Sequence, residues 1–158
     1  MIRFETVDAS FVLQRKIAIK NWIKEIILTS NFQIGDINYI FSDDNYVLEV
    51  NRQYLNHDYF TDIITFDTSG YTPQSHGNTQ KVSADIFISL DSVHSNAQLY
   101  GSTFTLELYR VMAHGILHLT GFDDVTPELK LQMTAAEESA LSLLPEELLN
   151  FNQNYQPK

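Results

Sequence analysis

The stretch that organises this chain reads Val111-Met112-Ala113-His114-Gly115-Ile116-Leu117-His118-Leu119-Thr120-Gly121-Phe122-Asp123-Asp124. Two histidines four apart on a helix share a face, with Cβ atoms about 5–6 Å apart, so His114 and His118 can bind one Zn²⁺. Gly121 can end the helix and adopt a positive φ, which turns Asp124 back beneath the pair. The spacing H-x-x-x-H-x-x-G-x-x-D therefore predicts a metal site on a core helix and the following turn.

The alternative is that the two histidines are ordinary core residues. With five histidines in 158 residues, a pair spaced by four arises by chance roughly one time in eight. The glycine and the carboxylate at the right offsets make chance a poorer explanation. A buried helix face also seldom carries two unpaired imidazoles. The pattern therefore favours metal ligands over core histidines.

The same spacing resembles that of the metzincin zinc hydrolases, with two changes. Gly115 stands in place of their glutamate base, and Asp124 replaces their third histidine. Three protein ligands with an open fourth position are typical of a catalytic zinc. Without a protein base the metal ion itself must activate water. Because an aspartate ligand lowers the charge of the site, we expect activity to favour higher pH.

Composition restricts the chemistry and the location of the protein. There is no cysteine, which excludes disulfides and thiolate zinc sites, so nitrogen and oxygen atoms must hold the metal. The N-terminal residues lack the basic segment and apolar run of a signal peptide, and no apolar run approaches membrane-spanning length. We therefore expect a cytoplasmic protein with no membrane contact.

Charge argues against one class of nucleic-acid binding. Ten basic and twenty acidic residues give a net charge of −10, which disfavours broad, sequence-independent attraction to nucleic acid. Four basic residues near the start of the chain could form a local patch: Arg15, Lys16, Lys20 and Lys24. A solvated outer helix face is the commoner use of such a pattern and is favoured here.

The order of elements predicts one α+β domain over residues 1–150. Apolar runs predict a small mixed sheet of about four strands, at residues 2–7, 37–41, 62–66 and 82–90. About five helices are expected; the first runs to Thr29 and the last to about Leu144. Their predicted caps are Asp8 or Ser10, Ser42 or Asp43, Asp91, Ser102 or Thr103, and Thr126. This pattern is typical of a sheet packed with helices.

Two segments are expected to be irregular. Residues 68–80 are rich in Ser, Gly, Pro, Asn and Gln, which predicts a mobile excursion in which His76 is solvated. Residues 151–158 form a polar C-terminal tail that is expected to fray.

Arg110 lies one turn before His114 on the same helix face. It could hold a substrate phosphate, or it could pair with a carboxylate such as Glu107 at i−3, which is the commoner fate of a helical arginine. Asp85 interrupts an apolar strand. It is either a partner that orients a ligating histidine or a buried acceptor for backbone N–H groups.

Four other polar residues are expected to be structural. Thr61 and Asp62 should cap and orient the third strand rather than react. His57 and His94 have no partner at metal-ligand spacing and are expected to be ordinary polar residues.

Three blocks of the sequence resemble the YbeY family of bacterial endoribonucleases. Residues 114–124 fit ten of the eleven positions of the family signature H-G-x-L-H-L-x-G-[FY]-D-H, and only the last histidine differs. Residues 54–66, YLNHDYFTDIITF, look like the family's Y-R-x-K-D-x-P-T-D-V-L-S-F. Residues 84–86 look like its G-D-I strand. The order and position of the blocks also fit, so the resemblance covers nearly the whole chain.

The resemblance implies a zincin-like fold and a zinc-dependent, single-strand-specific endoribonuclease of ribosomal RNA processing. Its one Zn²⁺, or another divalent metal, would bind His114, His118 and Asp124 in a cleft between the histidine helix and the sheet. His114, His118 and Arg110 are the candidate catalytic residues. The expected partners are single-stranded RNA, ribosomal RNA and the small ribosomal subunit, with no organic cofactor.

This chain departs from the family at two positions. Leu55 occupies the place of an arginine that is thought to contact RNA phosphate, and Asp124 replaces a neutral ligand with an anionic one. These departures keep a second interpretation open, in which the protein is a non-catalytic ribosome-assembly factor with a structural metal. A metallopeptidase is a third reading, disfavoured because Gly115 cannot act as a base.

Overall fold

The structure is a computed structural model that describes residues 1–70 and 80–158. Within these residues the chain forms four strands and six helices, which confirms the predicted α+β class and adds one short helix to the five expected. The elements are β1 (Ile2–Thr6), α1 (Lys16–Thr29), β2 (Gln33–Ser42), α2 (Asp44–Leu55), β3 (Ile63–Asp67), β4 (Lys81–Ser89), α3 (Leu90–Tyr100), α4 (Phe104–Leu119), α5 (Pro127–Ser142) and α6 (Glu146–Leu149).

The sheet is mixed, as predicted, and its strand order is β1-β2-β4-β3. Strands β1, β2 and β4 are parallel, whereas β3 pairs antiparallel with β4, with Ile63 opposite Ile88 and Asp67 opposite Ala84. Strand β3 therefore forms one edge of the sheet. This edge strand packs against α4, which carries the histidines.

The two faces of the sheet have separate apolar clusters. Ile86 and Ile88 of β4 belong to the main core, which α1, α3, α4 and α5 complete. Phe87, between them, packs instead against a small cluster that Val47 and Val50 of α2 form with Ile64. The alternation along β4 thus places α2 on one face and the histidine helix on the other.

Helix α1 begins later than predicted. The expected caps Asp8 and Ser10 do not start a helix, and α1 opens at Lys16 after Arg15, whose φ is 61°. The reason lies in the preceding side chains. Phe11 and Leu13 are buried, while the residue between them is exposed. This alternation of period two suits an extended chain and conflicts with a helical turn.

The predicted fraying of residues 151–158 is wrong. Gln153 is buried and its amide bridges the backbone N–H and C=O of Gln14. Tyr155 is also buried, and its hydroxyl donates to Asp91 at 2.6 Å. These long-range contacts join the C-terminal segment to α3 and to the chain before α1. The extra helix α6 leads into this segment and buries Leu148.

Other differences from expectation are small. Strand β2 starts at Gln33, four residues early, with a shift of register between Ile34 and Ile37. His76 lies outside the described residues, so its predicted solvation is untested. Of the basic residues on α1, Lys16 and Lys24 are exposed on the face away from the core.

In the part of the chain that the structure describes, no helix is long and apolar enough to cross a membrane.

Candidate metal centre

Helix α4 presents both histidines from its C-terminal half. Thr103 caps the helix by accepting the backbone N–H of Leu106. The fully buried Met112 and Ile116 fix which side of the helix faces the core. His114 and His118 consequently emerge on one side, with ring centroids 4.5 Å apart and their Nε2 atoms 2.9 Å apart.

The turn after α4 brings a carboxylate to the histidines. Gly121 has a φ of 111°, a conformation that favours glycine. Beyond it, Asp124 places Oδ2 3.5 Å from Nε2 of His114 and Oδ1 3.7 Å from Nε2 of His118. The neighbouring Asp123 instead accepts the backbone N–H of Asp124 at 2.7 Å. The structure thus brings together the three residues that the spacing selects.

The donor set fits a divalent metal ion. One ligand atom from each of His114, His118 and Asp124 can be chosen so that all lie within 4.8 Å of one another. Ligand atoms about 2.0–2.2 Å from a tetrahedral zinc lie ~3.3 Å apart. The separations of 2.9, 3.5 and 3.7 Å are compatible with that geometry. The side chains are 20%, 32% and 39% exposed, so the centre is open to solvent.

Glu137 of α5 contacts His114 on the side opposite the other candidate ligands. The sequence pattern did not identify this residue. Its Oε2 lies 2.6 Å from Nδ1 of His114. Burial lowers the pKa of His114, but the hydrogen bond and charge of Glu137, together with the charges of Asp124 and Asp62, outweigh burial, so the pKa is raised. A proton kept on Nδ1 leaves Nε2 free to bind a metal. The carboxylate therefore selects the tautomer that a metal site needs.

Arg110 pairs with carboxylates, but not with the expected partner Glu107. Its guanidinium lies 3.2 Å from Oε1 of Glu137 and 2.5 Å from Oε1 of Glu138. Both partners belong to α5, 27 and 28 residues away in sequence. The arginine thus holds the glutamate that holds His114. This geometry makes Arg110 a positioning residue of the centre.

Asp62 is closer to the centre than its predicted role at the start of β3 implied. Its backbone C=O accepts the N–H of Ser89, and Thr61 donates to the C=O of Ile63, so both residues do orient the strand. The Asp62 side chain accepts from Asn96 at 3.2 Å and lines the cavities on either side of His114. Burial raises the pKa of this carboxyl, and the nearby imidazole partly offsets the rise.

Gly115 lies where α4 approaches the sheet most closely. A Cβ atom on Gly115 would lie 3.0 Å from Cδ1 of Ile63, 3.2 Å from Oγ1 of Thr65 and 3.4 Å from Cγ2 of Ile86. A longer side chain would meet β3 at once. The absence of a glutamate base at this position is therefore tied to the packing of the histidine helix on the edge strand.

A cavity of about 390 Å³ opens beside the triad. It is lined by the end of α2, the loop after it, β3 and the three candidate ligands. Leu55, which replaces the arginine of the family motif, lies in this lining and is 40% exposed. Among the described residues that line the cavity there is no lysine or arginine. The described lining thus has candidate metal ligands but no fixed positive side chain.

Two other sequence candidates lie away from the triad. Asp85 accepts from Asn38 at 2.9 Å and lines a groove with Phe66 and Phe87 on the α2 side of the sheet. Both readings of Asp85 are therefore wrong, because alternation along β4 turns it away from α4. His94 lies on α3, outside the group of candidate ligands. His57, by contrast, lines the cavity beside the triad.

Comparison with known sequences shows which family this chain resembles over most of its length. The family model described as "Endoribonuclease YbeY" matches residues 5–145. A relative of that name from Cytophaga hutchinsonii is 46% identical over 142 residues, which cover 90% of this chain and 94% of the relative. Another from Parabacteroides distasonis is 47% identical over 146 residues, covering 92% and 97%.

A solved structure shares the fold. The solution structure of a Thermotoga maritima protein superposes with a TM-score of 0.59 at 23% identity, covering 91% of this chain and 89% of that protein. At this identity the similarity concerns the fold alone.

Proposed function

The chain belongs to the YbeY family, and from this premise we propose that it is a metal-dependent hydrolase, an endoribonuclease that cleaves single-stranded RNA. The observation that carries the proposal is the convergence of His114, His118 and Asp124 at the wall of an open cavity. Residues 1–150 would act as a single catalytic domain. We propose Zn²⁺ as the ion, with another divalent metal as its substitute.

The side chains around the centre have separate tasks in this proposal. A bound ion would supply Lewis acidity toward a phosphoryl oxygen and toward water, which RNA cleavage needs where no protein base is present. His114, His118 and Asp124 would hold the ion, while Glu137 keeps the proton of His114 on Nδ1. Arg110 would fix Glu137 in turn. No organic cofactor is required for this chemistry.

The geometry favours this proposal over the two alternatives. A structural zinc is enclosed by four protein ligands, whereas here three candidate ligands face a cavity of about 390 Å³. A metallopeptidase needs a protein base beside the ion, and the position that would supply it, Gly115, packs against Ile63 and Thr65 of β3. An open centre leaves room for a substrate phosphate and a water molecule beside a bound ion, as the proposal requires.

A cleavage assay tests the proposal. The purified protein is incubated with a labelled single-stranded RNA, with the matching duplex and with a casein substrate. We expect cuts in the single strand alone, their loss after treatment with a chelator, and their return when Zn²⁺ is added. Metal retention without RNA cleavage would support the assembly-factor reading. Cleavage of casein would support the metallopeptidase reading.

We further propose that the RNA cut in the cell is ribosomal RNA, during maturation of the small subunit in the cytoplasm. The support is family membership, since the relatives carry the name of this endoribonuclease. The test is sedimentation of a cell extract on a sucrose gradient. We expect the protein in the small-subunit fractions, and its presence only at the top of the gradient would contradict this part of the proposal.

A further inference from the structure

Two aromatic side chains of the loop between α2 and β3 line the cavity beside the triad His114, His118 and Asp124. His57 and Tyr59 stack, with ring centroids 5.1 Å apart and planes inclined by 20°. The hydroxyl of Tyr59 lies 3.0 Å from Nδ1 of His57, which ties the two rings together. Tyr59 nevertheless remains 57% exposed. A large ring thus stands open to solvent beside the candidate ligands.

The loop that carries these rings is anchored before any ligand binds. Asn51 of α2, only 1% exposed, holds it twice. Its backbone C=O accepts the N–H of His57 at 3.1 Å, and its Nδ2 donates to the C=O of Tyr59 at 2.9 Å. Arg52 adds a bond of 2.6 Å to Asp58. Rings fixed in this way lose little freedom on binding, which favours affinity.

The described lining of the cavity beside the triad lacks the usual source of RNA affinity. Proteins commonly bind RNA through lysine and arginine contacts to phosphate. The described lining of this cavity holds neither, and Leu55 stands where the family motif has arginine. The whole chain also carries a net charge of −10. Besides a bound metal ion, the aromatic rings of the lining offer a means of holding an RNA strand, because every base has a face that can stack.

Resting on the proposed function, we propose that the His57–Tyr59 pair is a stacking platform for an unpaired base of the RNA strand, next to the bond that is cut. Bases inside a duplex already stack on each other and cannot reach the platform, so the pair contributes to single-strand specificity. Binding should depend only weakly on salt. Each phosphate contact adds about −0.7 to the slope of log K against log[salt] for single strands, and we expect a slope shallower than about −1.5.

The test compares three variants of the metal-loaded protein. Binding is measured by fluorescence anisotropy of a labelled single-stranded 2′-O-methyl oligoribonucleotide, at several salt concentrations. Loss of one stacked base weakens binding by about tenfold, and this is the effect expected for Tyr59→Ala. Tyr59→Phe restores the ring and should bind within about threefold of the parent.

Tyr54→Ala is the matched control. Tyr54 is 68% exposed, similar to Tyr59, but it packs against Phe66 and lines the groove on the other face of the sheet. This variant should bind RNA as the parent does. Parental affinity in Tyr59→Ala, or an equal loss in Tyr54→Ala, would overturn the platform.

Cleavage of unmodified RNA separates failure of the platform from failure of the proposed function. If the parent cleaves RNA in a metal-dependent reaction and Tyr59→Ala keeps the parental KM, only the platform is overturned. If the parent neither binds nor cleaves RNA, the proposed function and the platform both fail. A KM raised about tenfold in Tyr59→Ala, with zinc content unchanged, supports both.

Discussion

The two sides of the metal centre are built in different ways. On one side, eleven consecutive residues from His114 to Asp124 supply the three candidate ligands found among the described residues, through the repeat of a helix and one turn. On the other side, Glu137 and Asp62 reach the centre from α5 and from the start of β3, far away in sequence. The first side is local geometry and can be deduced from spacing. The second exists only once the chain has folded.

The largest effect is expected at the local side. His118→Ala removes a proposed ligand outright, so metal affinity should fall by more than about a hundredfold, beyond the loss typical of an outer partner. RNA cleavage should be abolished, while the fold persists because the His118 side chain is 32% exposed and outside the core. Zinc content by elemental analysis and circular dichroism measure the two effects. His94→Ala, on α3, should retain its zinc.

The next prediction tests the register of the turn. Asp124→Ala should lose most of the bound metal, with an affinity loss of about a hundredfold, because Asp124 faces both imidazoles. Asp123→Ala should keep its metal and lose about 1 kcal/mol of stability, the value of its hydrogen bond to the backbone. Metal retained in Asp124→Ala and lost in Asp123→Ala would mean that the spacing argument is off by one residue.

The outer side of the centre should show a smaller effect. Glu137→Gln keeps the shape of the side chain but removes the charge that fixes the proton on His114. Metal affinity should fall about tenfold, measured by competition with a chromophoric chelator. Glu138→Gln is the matched control, since Glu138 contacts Arg110 and is 61% exposed. An equal loss in both variants would show that the helix α5 matters, rather than the bond to His114.

These expectations show where sequence reasoning succeeds at the site. His114, His118 and Asp124 can be selected because a helix fixes the directions of residues four apart and Gly121 permits the reversal. Glu137 cannot be selected in this way. Helix α5 carries three glutamates, at 128, 137 and 138, and only the packing of α5 on α4 decides which of them meets Nδ1 of His114.

The same distinction applies to the fold. The strands and most helices follow from periodicity and caps, and the predicted caps Asp43, Thr103 and Thr126 each accept a backbone N–H. The predicted cap Asp91 is wrong, because α3 begins two residues earlier than expected and Ser89 caps it. Favourable caps predict a helix in the segment before α1, but burial of Phe11 and Leu13 in the main core overrides that preference. The polar C-terminal residues look free in sequence because their hydrogen-bond partners lie far away along the chain.

The last prediction concerns the stability of the fold rather than metal binding, and it involves Glu107, a buried residue of α4. It is 4% exposed, and burial raises its pKa to about 6 despite the opposing charge of Arg110. An unfolded glutamate ionises near pH 4.5, so between about pH 4.5 and 6 the folded chain keeps a proton that the unfolded chain has released. Stability should therefore fall as pH rises through this window, by on the order of 1–2 kcal/mol.

Glu107→Gln removes the titrating carboxyl, so the variant shows how much stability the parent loses when Glu107 ionises. At pH 7 the variant should be more stable than the parent by on the order of 1–2 kcal/mol, and at pH 4 the two should be equal, because Glu107 is then protonated in both states. Urea unfolding at pH 4, 5.5 and 7 measures the difference. Glu25→Gln, at an exposed position of α1, should show no such dependence on pH. A Glu107→Gln advantage that is the same at pH 4 and pH 7 would trace the gain to packing, and burial of the carboxylate would then not set the pH dependence.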